Sequence, residues 1–238
     1  GGNRVYIDGR MLSQRGVPGN SPATTRYFLR AHEISFETKG GDLDIGIETS
    51  AYLHRDSGMD SPAVLGLAEP MEFWTAFHGA RGVLFHTALV LLALYGLAVF
   101  LFRRSDKASL YFSLSCFLFV APSCVLGFDN LLLMAFPQMS FPTMLAWTYL
   151  PTELSLSFFL AYGQTLFPRE SPKLGYRILL GLLGALIAAQ VYSFAFYGTL
   201  VASQVNKVQL LILVAVFSYL IVVLIRAVAR RREGALVF

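Results

Sequence analysis

Cysteine is almost missing from this chain. Two occur in 238 residues, Cys116 and Cys124, both within one apolar run. The first 115 residues therefore hold no disulfide framework. Neither Cys-x-x-Cys spacing nor a neighbouring histidine supports a zinc site, so the pair reads as small packed side chains of an apolar helix. Charge is scarce as well: 14% of residues are charged and 55% are hydrophobic, which lies to the apolar side of soluble proteins. No Lys/Arg stripe with interleaved aromatics is present, and nucleic acid is excluded as a partner on that ground. Catalytic signatures are missing too. There is no Gly-x-Ser-x-Gly, no phosphate loop, no His-Glu-x-x-His and no Gly-rich dinucleotide turn. Neither enzymatic activity nor a cofactor is expected of these residues, and no metal site. The chain also lacks an initiator Met and a basic-apolar-small signal peptide. Its last residues, "GALVF", begin a new apolar run. A fragment of a longer protein is the expectation.

What is present divides into two unlike parts. Residues 1–82 carry eight Lys and Arg against ten Asp and Glu, a net charge of −2. Residues 83–238 carry eleven against five, a net charge of +6. A basic, apolar part beside a mildly acidic one points to a lipid bilayer as partner.

The first 70 residues are punctuated like a β-domain. "RVYIDGRML" predicts strand, turn and strand, because Asp8-Gly9 supplies the positive φ of a tight hairpin. "RGVPGNSP" is a loop, "YFLRAHEISFET" an extended segment, and "KGGD" a turn. In "LDIGIETSAYL", Leu43, Ile45 and Ile47 alternate with Asp44, Gly46 and Glu48, the period of a half-buried strand. "AVLGLAEPMEF" is expected as a short strand leaving the domain. Residues 1–70 are thus predicted to be an incomplete all-β sandwich. Residues 71–82 are expected to be an interfacial linker marked by Phe73, Trp74 and Phe77.

Beyond the linker, runs at 83–102, 109–127, 143–166, 177–198 and 208–228 are each long enough to cross about 30 Å of hydrocarbon. A sixth is expected to start at 234–238. In lipid these must be helices, since unmet backbone groups there cost several kcal/mol each. Pro122 and Pro151 are expected to kink two of them. The connecting loops differ in charge. Arg103, Arg104 and Lys107, then Arg169, Lys173 and Arg177, then Arg226, Arg230, Arg231 and Arg232 lie on one side, while the opposite loops hold only Lys207. Positive charge marks the cytoplasmic side, so residues 1–82 are expected outside.

Two stretches carry a family likeness. "VYIDGRMLSQRGVPGNSP" with "IETSAYLHRDSGMDSPAVLG" resembles the latter part of the jelly-roll ectodomain of bacterial seven-transmembrane receptors with diverse intracellular signalling modules. "LYFSLSCFLFVAPSCVLGF" and "LAWTYLPTELSLSFFLAYGQTLFPRE" resemble the second and third spans of their membrane domain. The resemblance implies an α-helical polytopic protein of the bacterial cytoplasmic membrane with an N-terminal jelly-roll-like extracytoplasmic domain. It also implies a small ligand, a carbohydrate among the options, and a cytoplasmic signalling module in the full-length chain. A homodimer is one expected assembly. The front of the ectodomain, the last two spans and the output module are not in this sequence.

Some residues stand out. Glu153 lies inside the third span, where an ionisable group costs about 2.5–3.5 kcal/mol and is a functional candidate by default. The plainer alternative places it near the outer end, in reach of water or of a neighbouring hydroxyl. With Pro151 it is the candidate for signal relay. His54, Arg55 and Asp56 form a polar loop suited to ligand binding, or else a solvated turn held by local hydrogen bonds. Gln164 and Gln190 fit interhelical hydrogen bonds of about 0.6 kcal/mol. His86 fits the outer interface, and Gly181 with Gly184 fits close helix packing. Besides a signalling receptor, the sequence allows a transporter, which requires repeats and polar broken helices at the midplane. It also allows a membrane enzyme built on Glu153, for which no partner acid or metal ligand is visible.

Overall fold

The structure is a computed structural model that describes residues 2–28, 33–38, 40–54, 63–126 and 131–230. Near the N-terminus, β1 (Gly2–Ile7), β2 (Arg10–Arg15) and β3 (Ile45–Ser50) form an antiparallel sheet in the order β2-β1-β3. Asp8 at φ 52° and Gly9 at φ 75° make the expected hairpin turn, the conformation whose twist matches the flanking strands. An extra residue, Leu12, interrupts the β1–β2 register between Val5 and Tyr6. Strand alternation and register put Val5, Ile7, Ile45 and Ile47 on one face. The other face is polar. There Arg4 pairs with Glu48 at 3.0 Å and donates to Gln14, and Tyr6 donates to Glu48. The loop after β2 closes on itself through paired backbone bonds between Val17 and Arg26, both 2.9 Å.

The described residues of the extended segment 27–38 form no paired strand. One expectation for this part fails. The segment expected to leave as a strand instead enters a helix at Ala68, which runs through residues 71–82 into the first span. Glu69 in the first turn favours that start electrostatically, and Pro70 needs no intrahelical donor there. The sheet is small, and a jelly roll is not established by three strands.

Among the described residues six helices follow: α1 (Ala68–Phe102), α2 (Lys107–Leu126), the short α3 (Leu131–Ala135), α4 (Phe141–Leu166), α5 (Lys173–Phe196) and α6 (Thr199–Ala229). Asp106 caps α2, accepting from the Ser109 amide and hydroxyl. Ser140 caps α4, accepting from the Thr143 amide, with Pro142 in the first turn. Four of the helices are long and apolar enough to cross a membrane: α1, α2 over Lys107–Val125, α5 and α6. That is the arrangement of a polytopic helical membrane protein. Helix α4, expected as the third span, is about 39 Å long at 1.5 Å per residue but is not among the four. Thr148, Pro151, Thr152, Glu153, Ser155, Ser157 and Gln164 dilute its apolar content. It compensates by enclosure, packing against α2, α5 and α6 and burying both Glu153 and Ser155. The sixth span expected at 234–238 lies outside the described residues.

Apolar spacing explains the core. Leu156 and Leu160 of α4, Leu179, Leu183 and Leu186 of α5, and Ile212 and Val216 of α6 cluster together, each set three or four residues apart and so on one helical face. Outward residues such as Leu84, Leu92, Tyr95, Leu211 and Ile225 are large, apolar and exposed, which suits contact with lipid. The backbones of α1 and α2 approach closely at Gly96, where a Cβ would stand 3.1 Å from the Ser109 carbonyl oxygen, and the Leu220 side chain lies against Gly163, where a Cβ would overlap it. Gly181 and Gly184 face open space instead. The close-packing glycines are therefore not the pair expected from sequence. Hydroxyls tie the same seams: Ser113 donates to the Ala93 carbonyl at 2.7 Å, and Ser115 and Ser155 each donate to the other's carbonyl, at 3.0 and 2.8 Å.

Candidate functional site

The sheet unit and the helices meet at the N-terminal end of α4. The end of β3 runs on to Tyr52, whose amide donates to the Tyr27 hydroxyl at 2.6 Å. The Tyr27 ring stacks on Phe141, the first residue of α4, with centroids 5.7 Å apart. His54 meets the same Phe141 ring edge-on, and its Nε2 lies 3.1 Å from the Tyr149 hydroxyl. Phe141 and Tyr149 are about two turns apart along α4, and His54 reaches both. Thr75 of α1 and Glu33 form a second hydrogen bond between the two parts.

One turn further along α4, four residues from Tyr149, stands Glu153. It is fully buried, as is Gln190 of α5. The two helices run antiparallel in a consistent register. Tyr149 packs on Phe194, with centroids 6.2 Å apart. One turn along both helices Glu153 faces Gln190, the side chain that acts on its carboxyl group. Proximity does not amount to a formed bond. Neither carboxyl oxygen and neither Gln190 amide atom has a hydrogen-bond partner in good geometry.

Pro151 sits between Tyr149 and Glu153 and has no N–H for the Trp147 carbonyl. Hydroxyls gather around this stretch. Thr148 donates to the Met144 carbonyl, Thr152 to Thr148 and Ser157 to Glu153, at 2.9, 2.6 and 2.9 Å. Such bonds let a membrane helix carry proline without breaking. Helix α4 runs on through Pro151, and α2 through Pro122.

Of the residues singled out from sequence, His54 lies at the junction, where it touches α4. Arg55 and Asp56 lie outside the described residues. Glu153 is enclosed by the bundle and does not reach water, unlike the outer-end alternative. Gln190 joins it, whereas Gln164 accepts from Tyr219 at 3.5 Å near the other end of α4. His86 is buried against Phe85 of its own helix. Among the described residues no group of three or more His, Cys, Asp or Glu side chains could hold a metal. Sequence reasoning passed over Tyr27, Phe141, Tyr149 and Phe194. Their signal was spacing: 149 and 153 share one side of α4, and 190 and 194 share one side of α5.

A separate cleft of about 420 Å³ lies beside the sheet, between Pro18–Asn20 and Glu48–Tyr52. Its walls are held by the Gly19 amide donating to Ser50 and the Tyr52 hydroxyl donating to the Gly19 carbonyl. Comparison with protein-family models, with curated proteins and with solved structures returned no match to this chain.

Proposed function

We propose that this chain is the sensor and transmembrane part of a bacterial signal-transduction receptor, resembling the seven-transmembrane receptors with diverse intracellular signalling modules. In this reading the sheet unit lies outside the cytoplasmic membrane and binds a small ligand, and the bundle relays occupancy to a cytoplasmic module. The observation that carries it is the junction, where His54 and Tyr27 rest on Phe141 and Tyr149 at one end of α4. A displacement of the sheet unit would act on a helix whose next turns hold Pro151 and the unbonded pair of Glu153 and Gln190. Relay of this kind needs a ligand that binds one arrangement more tightly than the other, and a helix with two accessible packings supplies the arrangements. The cleft beside Tyr52 offers a ligand position two residues from His54. The carrier alternative calls for broken helices, and α2 and α4 continue through their prolines.

The orientation is tested by an impermeant thiol reagent on intact cells. Ala23→Cys is expected to react and Ser105→Cys is not; reaction of Ser105→Cys alone would reverse the topology. Coupling is tested with spin labels at Ser105 and Lys173, near the cytoplasmic ends of α2 and α5, in the reconstituted chain. His54→Ala is expected to shift the distance distribution between them, whereas Leu84→Ala, on the exposed side of α1, leaves it in place. An unchanged distribution in His54→Ala would sink the relay.

A further inference from the structure

Burial and pairing at Glu153 leave a chemical question that the relay does not answer. The carboxyl group is fully enclosed by helices and has no hydrogen-bond partner, and the same holds for the Gln190 amide. An uncompensated carboxylate in such a place is costly by several kcal/mol in order of magnitude. Something must neutralise it.

The nearby cations do not. On α5, Lys173 and Arg177 are about 20 Å or more from Gln190 along the helix at 1.5 Å per residue. On α6, Lys207 is exposed, and Tyr219 is bonded to Gln164 and to the Pro172 carbonyl. On α2, Tyr111 stacks on Phe158, and Cys116 and Cys124 are the thiols. On α4 itself, Tyr149 is held by His54, and Tyr162 packs on Phe112 and Phe159. None of these is bonded to the Glu153 carboxyl group, and Gln190 is the polar side chain of α5 that faces it. A bound metal ion fits no better. Hard divalent cations take about six oxygens or more, and Glu153 with Gln190 offers three. Among the described residues no group of three or more His, Cys, Asp or Glu side chains is placed to add ligands there. A proton needs one acceptor, and the Gln190 amide oxygen is free to be that acceptor.

We propose that Glu153 and Gln190 form an intramembrane proton site, in which a proton taken from water resides on the Glu153 carboxyl group and is donated in a hydrogen bond to the Gln190 amide oxygen. The step is simple addition: carboxylate plus proton gives carboxylic acid, and no other bond forms or breaks. In that state the antiparallel seam between α4 and α5 closes without an unmatched charge. Loss of the proton leaves a carboxylate facing an amide oxygen, which favours rotation of Gln190 or opening of the seam to water. The site rests on the packing of α4 against α5 and holds whatever the chain's cellular role.

The test is infrared spectroscopy of the whole chain in lipid vesicles at neutral pH. The wild type is expected to show the carbonyl stretch of a protonated carboxylic acid, absent from Glu153→Gln. In Gln190→Leu the band is expected to remain and move to the frequency of an acid without a hydrogen bond. If Glu153→Gln fails to insert, wild type and Gln190→Leu still decide the matter, because only an acid beside Gln190 responds to that change. A wild type with no acid band overturns the proposal. So does an acid band that is unmoved in Gln190→Leu. A carboxylate band that shifts on titrating sodium or potassium also overturns it and assigns the site to a cation.

Discussion

The sheet unit and the helical bundle use hydrogen bonds in opposite ways. On the sheet, polar side chains such as Arg4, Gln14 and Glu48 bond one another on an open face, and Ile7 is the one buried large hydrophobic residue of its described strands. In the bundle the outside is apolar, and the polar groups lie within: Ser113, Ser115 and Ser155 bonded to backbone carbonyls, and Glu153 and Gln190 buried. Water drives apolar surface together in the first setting. Lipid gives no such drive between helices, so close packing and interhelical hydrogen bonds must supply association. At the seams of α2 with α1 and α4, Gly96 and the serine hydroxyls join the packing that leucines supply between α4, α5 and α6.

The sharpest way to break the comparison is to damage one part and ask whether the other responds. Gly16 has φ +65°, and an added Cβ would overlap the Arg26 carbonyl oxygen. Gly16→Ala therefore meets both backbone strain, about 1–3 kcal/mol for such a conformation, and a backbone clash that no side-chain rotation relieves. Limited proteolysis of residues 10–50 should accelerate strongly, with helical circular dichroism unchanged. Gly9→Ala, at φ +75° with open space around it, meets the strain alone and should be milder. Helix loss in Gly16→Ala would mean that the two parts fold as one.

A smaller effect is expected at Asp106, which lies in the loop between α1 and α2 and should follow the rules of water. Asp106→Ala removes the cap of α2, a change that typically costs about 0.5–2 kcal/mol. The Ser109 hydroxyl, and with it the Ser109 amide, holds the Asp106 carboxyl below its ordinary range. Its contribution is thus complete above the ordinary carboxylate pKa and is lost as pH falls through the lower folded value. The stability gap between wild type and Asp106→Ala should shrink in acid. A gap independent of pH would show that the carboxylate charge plays no part.

The smallest effect should come from the seam between α2 and α4. Ser115→Ala removes the donor to the Ser155 carbonyl, and such bonds within membranes average about 0.6 kcal/mol. Unfolding in mixed detergent should detect a loss of that order. A loss several times larger would place the seam closer to a soluble core, where a stranded buried partner is expensive.

The amino-acid sequence by itself determined the membrane helices and the hairpin, because both are local. Long apolar runs have no option in lipid but the helix, and Asp8-Gly9 supplies its turn with no help from distant residues. Four helices and the β1–β2 pair followed from that. The run from Ala68 to Gly82 was less legible: its mixed polar and aromatic pattern suited strand or linker, and its continuity with the first span decided for helix. Only the tertiary structure decided which side of α4 meets α5, and hence that Glu153 faces Gln190, that Tyr149 receives His54, and that Gly96 and Gly163 rather than Gly181 and Gly184 sit at close approaches. The reason is physical. A helix between water and a core shows its inner face as an apolar stripe, but a helix between lipid and protein is apolar on both sides. Its inward face carries little periodic signal, and the partner residues are named only when the neighbouring helix is in place.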